Sequence, residues 1–142
     1  MPDITQTIEI EAPPSAVWRW LSDAERLRRW MSPDLEIDLR VGGDYRMVGA
    51  DGETRISGTV LSIVPEGRLV LSWMEEGGDW MRPGRLVISL EPVAAGTRVT
   101  LVHDGFAGIG TGRWPEVERA YALGAERHRL LDRLAEVVAA GG

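Results

Sequence analysis

A long apolar stripe near the C-terminus constrains the fold of this chain more than any other feature. The segment begins with Trp114-Pro115, and Glu116 and Glu118 follow within the next three residues. Proline and glutamate both suit the first turn of a helix. The members of the stripe recur at alternating spacings of four and three residues, which predicts one long amphipathic helix. They are Val117, Tyr121, Gly124, His128, Leu131, Ala135 and Val138, with Leu130, Leu134 and Val137 widening the same face.

The sequence ahead of this helix alternates with the period of β-strands. In residues 4–11 the isoleucines and Gln6 fall on one face, which predicts a half-buried strand. Pro13-Pro14 ends it, and two short helices follow, the second capped by Ser22-Asp23. Turn signals then separate six further predicted strands, at about 35–39, 45–48, 55–64, 69–73, 86–90 and 99–103.

This order of elements predicts an α+β fold with a single domain over residues 1–142. Short loops between successive strands favour an antiparallel meander of seven strands. Only one long helix is available to cover the sheet, so the sheet must curve around it to bury its apolar face. We expect the two short helices after the first strand to close one end.

The composition excludes several classes of function. There is no cysteine, which excludes a disulfide framework, a thiolate metal site and a cysteine nucleophile. All 16 basic residues are arginine, and the net charge of −6 argues against nucleic-acid binding. No segment is apolar enough to span a membrane, and the first residues do not resemble a signal peptide, so we expect a cytoplasmic location.

Four local strings carry a resemblance to a known superfamily. They are Gly42–Tyr45, Gly58–Pro65, Arg68–Trp73 and Gly96–Phe106, and they are similar to the START/polyketide cyclase/Bet v-like (SRPBCC) superfamily. The branch that they resemble most is homologous to activators of the heat-shock-protein-90 ATPase. This resemblance implies a helix-grip fold, in which the curved sheet wraps around the C-terminal helix. It also implies a cavity for lipids, hormones, polyketides or other small apolar molecules, sometimes with catalysis.

The chain departs from the branch at one position of the C-terminal helix. Relatives usually have a glycine–tryptophan pair there, whereas in this chain Gly124 is followed by Ala125. A bulky ring is missing, so we expect a roomier cavity than in the relatives.

The side chains predicted to face the interior are candidates for a ligand-binding wall. The competing interpretation is that they are ordinary core, and for the loop that carries Trp80 the alternatives are a lid or a segment tucked onto the sheet. No cofactor is expected. The candidates are Tyr45, Met47, Ile56, Leu71, Trp73, Leu86, Ile88, Leu101 and His103 on strands, Tyr121, Gly124 and His128 on the helix, and Trp80, Phe106 and Trp114 in or beside loops.

The two histidines are the side chains whose ordinary pKa lies nearest neutrality. Both fall on faces predicted to point inward, so His103 and His128 are structural polar residues, ligand contacts or a proton-transfer pair. Asp104 follows His103 but points to the opposite face of the strand, which disfavours a His–Asp catalytic pair. Two histidines without suitably spaced carboxylates do not make a metal site.

Three functions remain open at this stage. The leading hypothesis is binding of a small hydrophobic or aromatic molecule by a monomer or homodimer. The first alternative is a cyclase, dehydratase or hydrolase-like enzyme in which His103, His128 or Tyr121 moves a proton. The second is a co-chaperone-like module that interacts with another protein.

Overall fold

Seven strands form one curved antiparallel sheet, as the sequence predicts. The computed structural model describes residues 4–49 and 51–141. The strand order across the sheet is β1-β7-β6-β5-β4-β3-β2, so β2 to β7 form a meander and β1 pairs with β7. The strands are Ile4–Ile10 (β1), Glu36–Ile37 (β2), Asp44–Val48 (β3), Arg55–Val64 (β4), Arg68–Glu75 (β5), Gly84–Val93 (β6) and Gly96–Asp104 (β7).

Two short helices, Pro14–Trp18 (α1) and Ala24–Trp30 (α2), cover one end of the sheet. The carboxylate of Asp23 caps α2 by accepting a hydrogen bond from the backbone N–H of Arg26 at 3.2 Å, as predicted from the Ser-Asp pair. The indole of Trp30 donates a 2.9 Å hydrogen bond to the carbonyl of Trp20, which fixes the joint between the two helices.

The C-terminal helical segment is present, but it consists of two helices. Trp114–His128 (α3) and Leu130–Gly141 (α4) meet at Arg129, whose φ of 51° is left-handed. A non-glycine residue in this region breaks the regular helical backbone, and the heptad-like apolar pattern continues across the break, which is why the pattern predicted one helix. A short 3₁₀ turn, Phe106–Gly108, lies between β7 and α3.

The two C-terminal helices pack very differently. The α4 helix buries Leu131, Leu134 and Val138 completely in the core. None of the 15 residues of α3, all of which the structure describes, is fully buried. The α3 helix therefore stands off the sheet, whereas α4 anchors the C-terminal segment.

Close approach of β3, β4 and β5 at Gly58 accompanies the curvature of the sheet. A β-bulge shifts the register between Val60 and Ser62, and a bulged strand bends. The ring of Tyr45 packs beside Gly58, and its hydroxyl donates a 2.6 Å hydrogen bond to the carbonyl of Ser72. A Cβ at Gly58 would stand 2.3 Å from that carbonyl oxygen and 2.7 Å from the Tyr45 ring.

We therefore expect Gly58→Ala to destabilise the protein by about 1–3 kcal/mol, because the added methyl group overpacks this crossing. Gly112→Ala is the matched control, since a Cβ there meets no atom within 4 Å, and its effect should stay within about 0.5 kcal/mol. Urea unfolding of both variants measures the difference, and equal effects would contradict the role of Gly58.

Candidate functional site

A cavity of about 430 Å³ lies between the inner face of the sheet and α3. Buried apolar side chains of several strands form its floor, and α3 covers it from above. Among the residues proposed from the sequence, those that line it are Met47, Ile56, Trp73, Leu86, Leu101, His103, Tyr121, Gly124 and His128. The structure thus brings the middle of the predicted inward-facing set together around one space.

Three predicted strand residues, Tyr45, Leu71 and Ile88, lie outside the cavity wall. Each is at most 1% exposed and belongs to the packed core. Strand alternation predicts which face a side chain joins, but it does not tell whether packed side chains or an open space lies above it. For these three residues the interpretation as ordinary core describes what the structure shows.

Trp80, Phe106 and Trp114 also lie outside the cavity wall. Trp80 is buried, with its ring centroid 6.3 Å from that of Phe106, and the backbone N–H of Met81 donates a 2.7 Å hydrogen bond to the carbonyl of Ile109. Trp114 is half-buried at the start of α3. This loop is tucked onto the protein, so of the two alternatives for the loop the structure shows the tucked segment: the aromatic rings fill that end.

The cavity opens on the side of the β3–β4 loop and the α3–α4 junction. The residues that both line it and are exposed to solvent are Asp51, Ala120, Leu123, Arg127 and Arg129, and we call these five the rim. Hydrogen bonds from Thr54, and then from the backbone of Glu53, hold the pKa of Asp51 below its usual value. Arg129 forms a 2.8 Å ion pair with Asp132.

Four further lining side chains, Trp73, Glu75, His103 and Tyr121, form a group that we call the inner wall. The His103 ring stands 4.7 Å from that of Trp73 and 4.9 Å from that of Tyr121, with the rings edge to face in both pairs. Such arrangements are favourable between aromatic rings. Phe106 packs behind them, 4.8 Å from His103.

A chain of hydrogen bonds joins α3 to β5 across the inner wall. The indole N–H of Trp73 donates to the hydroxyl of Tyr121 at 3.1 Å, and this hydroxyl donates to Oε2 of Glu75 at 2.5 Å. Burial, followed by the hydrogen bond to Glu75, raises the pKa of Tyr121, so the phenol stays protonated at neutral pH. A further hydrogen bond connects α3 to β1: the side-chain amide nitrogen of Gln6 donates to the carbonyl of Ala125 at 3.0 Å.

His103 is a polar group of the inner wall that has unused hydrogen-bonding capacity. It is 6% exposed, and its buried Nε2 has no hydrogen-bond partner among the described residues. Burial lowers its pKa to about 4, although the nearby Asp104 opposes that shift. Asp104 itself pairs with Arg85 at 2.7 Å on the other face, as the alternation predicted.

Glu75 is the residue of the inner wall that the sequence interpretation missed. The predicted strand ends at about residue 73, but the observed strand continues through Glu75. Because side chains two apart in a strand share a face, the position of Glu75 two residues after Trp73 is the signal that could have placed it in the wall. The rim residues gave no such signal, since loop and helix-end contacts depend on the tertiary fold.

Among residues 4–49 and 51–141, no group of three or more His, Asp or Glu side chains is arranged to hold a metal ion. Within the same residues, no helix is both long and apolar enough to cross a membrane.

The pKa of His103 predicts how stability depends on pH. Because the folded-state pKa is about 4 and the unfolded value is about 6.5, the unfolded chain binds this proton first as the pH falls. The His103 contribution is complete above about pH 6.5 and decreases toward pH 4, by about 3 kcal/mol in total. His103→Phe, which keeps a ring in the aromatic cluster, should lose about 3 kcal/mol less than the unchanged protein between pH 7 and pH 4.

Chemical unfolding of both proteins at several pH values measures this difference. The two stability curves should run parallel above pH 7, where neither state of His103 takes up a proton. Curves that stay parallel down to pH 4 would show that the buried imidazole is not the titrating group.

A curved antiparallel sheet with a cavity under a C-terminal helix defines a protein of the helix-grip class. Within that class the chain belongs to the family "Activator of Hsp90 ATPase homolog 1-like protein", whose model matches residues 11–139. The branch suggested by the local strings is therefore confirmed. A search of curated proteins finds no match.

Solved structures share the fold at low sequence identity. Protein MLL2253 of Mesorhizobium loti is 16% identical with a TM-score of 0.81, and the alignment covers 99% of each chain. The Aha1 dimer of Colwellia psychrerythraea is 18% identical with a TM-score of 0.71, covering 97% of this chain and 96% of that one. DynU16, from the dynemicin biosynthetic locus, is 19% identical with a TM-score of 0.73, covering 98% of this chain but 48% of that one.

Proposed function

We propose that this protein binds a small hydrophobic or aromatic molecule in the cavity between the sheet and α3. The observation that carries the proposal is the cavity itself: its 430 Å³ falls within the roughly 300–1,000 Å³ of small-molecule sites. Apolar and aromatic side chains dominate its wall, and a few polar groups converge on it, as in sites of that kind. Membership of a family with a ligand-binding fold supports the same proposal.

The way that α3 is held also supports binding. Trp114, Val117 and Tyr121 pack against the core, but no side chain of this helix is fully buried, and Tyr121 and Ala125 add hydrogen bonds to the sheet. A ligand that fills the cavity would add apolar contacts to this helix, since buried apolar area stabilises by about 25 cal/mol per Å².

Gly124 offers a way to test the cavity without disrupting the core. A Cβ at this position would meet only Cδ2 of His128, at 3.7 Å, so a side chain would extend into the open space. We expect Gly124→Leu to weaken binding of an uncharged hydrophobic fluorophore such as N-phenyl-1-naphthylamine by about tenfold or more, because it fills the volume that the dye would occupy. Fluorescence titration gives the dissociation constants.

Ala122→Leu is the matched control, because Ala122 is exposed on the same helix and does not line the cavity. It should leave dye binding unchanged. If both variants bind the dye as the unchanged protein does, the dye lies elsewhere and binding in this cavity is contradicted.

A second candidate function is acid–base catalysis on the bound molecule. The observation that favours it is the pairing of a neutral buried imidazole, His103, with the Tyr121–Glu75 hydrogen bond on one wall. These are groups that move protons in enzymes. If a substrate is found, Tyr121→Phe should lower kcat by about 100-fold when the phenol transfers a proton, whereas a pure binder shows no turnover to lose.

The third candidate is interaction with a chaperone or another protein. It is favoured by the family description, which refers to activators of the Hsp90 ATPase, and by the dimeric Aha1 of Colwellia psychrerythraea. A pull-down against the Hsp90 middle domain at micromolar concentration tests the first partner, and analytical ultracentrifugation tests a homodimer.

A further inference from the structure

The charges that line the cavity are distributed unevenly between the rim and the inner wall. Among the described residues, the basic side chains of the lining are Arg127, His128 and Arg129, which are consecutive at the end of α3. The two arginines are exposed at the rim, and His128 is half-buried beside them. The inner wall contains no arginine, and its ionised group is the carboxylate of Glu75.

The hydrogen-bonding capacity of the inner wall is also one-sided. The N–H of Trp73 and the hydroxyl proton of Tyr121 are both already donated, the first to Tyr121 and the second to Glu75. What remains is the acceptor capacity of the Glu75 carboxylate, whose two oxygens together accept about four hydrogen bonds, and Nε2 of the neutral His103 imidazole, which accepts or donates according to the tautomer. A ligand that reaches this wall therefore finds an acceptor and finds neither free donor from these two side chains.

The protonation states reinforce this pattern. Burial raises the pKa of Tyr121 and lowers that of His103 to about 4, so at neutral pH the first is an uncharged phenol and the second an uncharged imidazole. An anionic ligand group placed here would have no cation to offset its desolvation and would be repelled by Glu75. A neutral hydroxyl, in contrast, donates to the carboxylate in a charge-assisted hydrogen bond.

Resting on the proposed function, we infer that Glu75 selects the ligand: the cavity takes a neutral hydroxylated aromatic compound, with its hydroxyl at the inner wall, and disfavours a ligand carboxylate at that wall. The aromatic part lies against the rings of Trp73 and Tyr121. Glu75 is thus a specificity-determining residue that is itself held in place by Tyr121.

Three probes with one ring system separate the contributions. 2-Naphthol has the hydroxyl, 2-methoxynaphthalene has the same ring without the donor, and 2-naphthoate carries a negative charge at neutral pH. Isothermal titration calorimetry at pH 7 should show 2-naphthol binding about tenfold more tightly than each of the other two, as expected for one charge-assisted hydrogen bond.

The Glu75→Gln variant tests the charge directly. It keeps an acceptor and the partner of Tyr121 but removes the negative charge, so 2-naphthoate should gain about tenfold in affinity relative to 2-naphthol. Glu76→Gln is the matched control: it removes the same charge one residue away, on an exposed side chain that does not line the cavity. The control should leave the ratio between the two probes unchanged. Circular dichroism verifies that both variants are folded.

Other results would contradict the selectivity, the role of Glu75 or the binding function itself. Equal affinities of 2-naphthol and 2-naphthoate for the unchanged protein would refute selection by the inner wall, whether or not the variants fold. Equal responses of Glu75→Gln and Glu76→Gln would show that the overall field of the protein, rather than Glu75, excludes the anion. If 2-methoxynaphthalene binds and Gly124→Leu abolishes it, the proposed function stands and only the selectivity is in question. If no probe binds, both proposals fail.

Discussion

The space between α3 and the sheet depends on a contrast between two adjacent helices. The α4 helix is anchored by Leu131, Leu134 and Val138, which are removed from water, while α3, which ends just before Arg129, buries no side chain fully. The hydrogen bonds of Tyr121 to Trp73 and Glu75 then hold α3 at its distance from β5. A hydrophobically packed α3 would close the cavity; a helix held by polar contacts leaves it open.

The same hydrogen bonds give the cavity its chemical character. By using the donors of Trp73 and Tyr121 internally, they leave a wall that offers acceptors, next to a buried imidazole that carries no charge at neutral pH. The basic side chains of the lining lie in or beside the rim, near solvent. Structure and specificity are therefore linked, because the group that supports the helix is also the group that meets the ligand in our proposal.

Much of this arrangement could be predicted from the sequence, and the failures have identifiable causes. Alternation placed Trp73, Leu101 and His103 on the inner face, and the helical stripe placed Tyr121 and Gly124 opposite them. The same alternation also selected Tyr45, Leu71 and Ile88, which belong to the packed core. Alternation along a strand shows which face of the sheet a side chain lies on, but it does not show how far the helix lies from that face. For the Trp80 loop the sequence left a lid and a tucked segment open, and the packing of the Trp80 ring on Phe106 favours the tucked segment.

By itself the sequence determined the order of the elements, the curved antiparallel sheet, the family and the set of side chains that face inward. These follow from local periodicity, turn residues and capping, which act over a few positions along the chain. Only the tertiary structure decided that the helix breaks at Arg129, that Glu75 joins the wall, and that the cavity opens beside Asp51 rather than beside Trp80. The physical reason is that these features arise from contacts between segments far apart in sequence, such as the 46-residue separation between Glu75 and Tyr121.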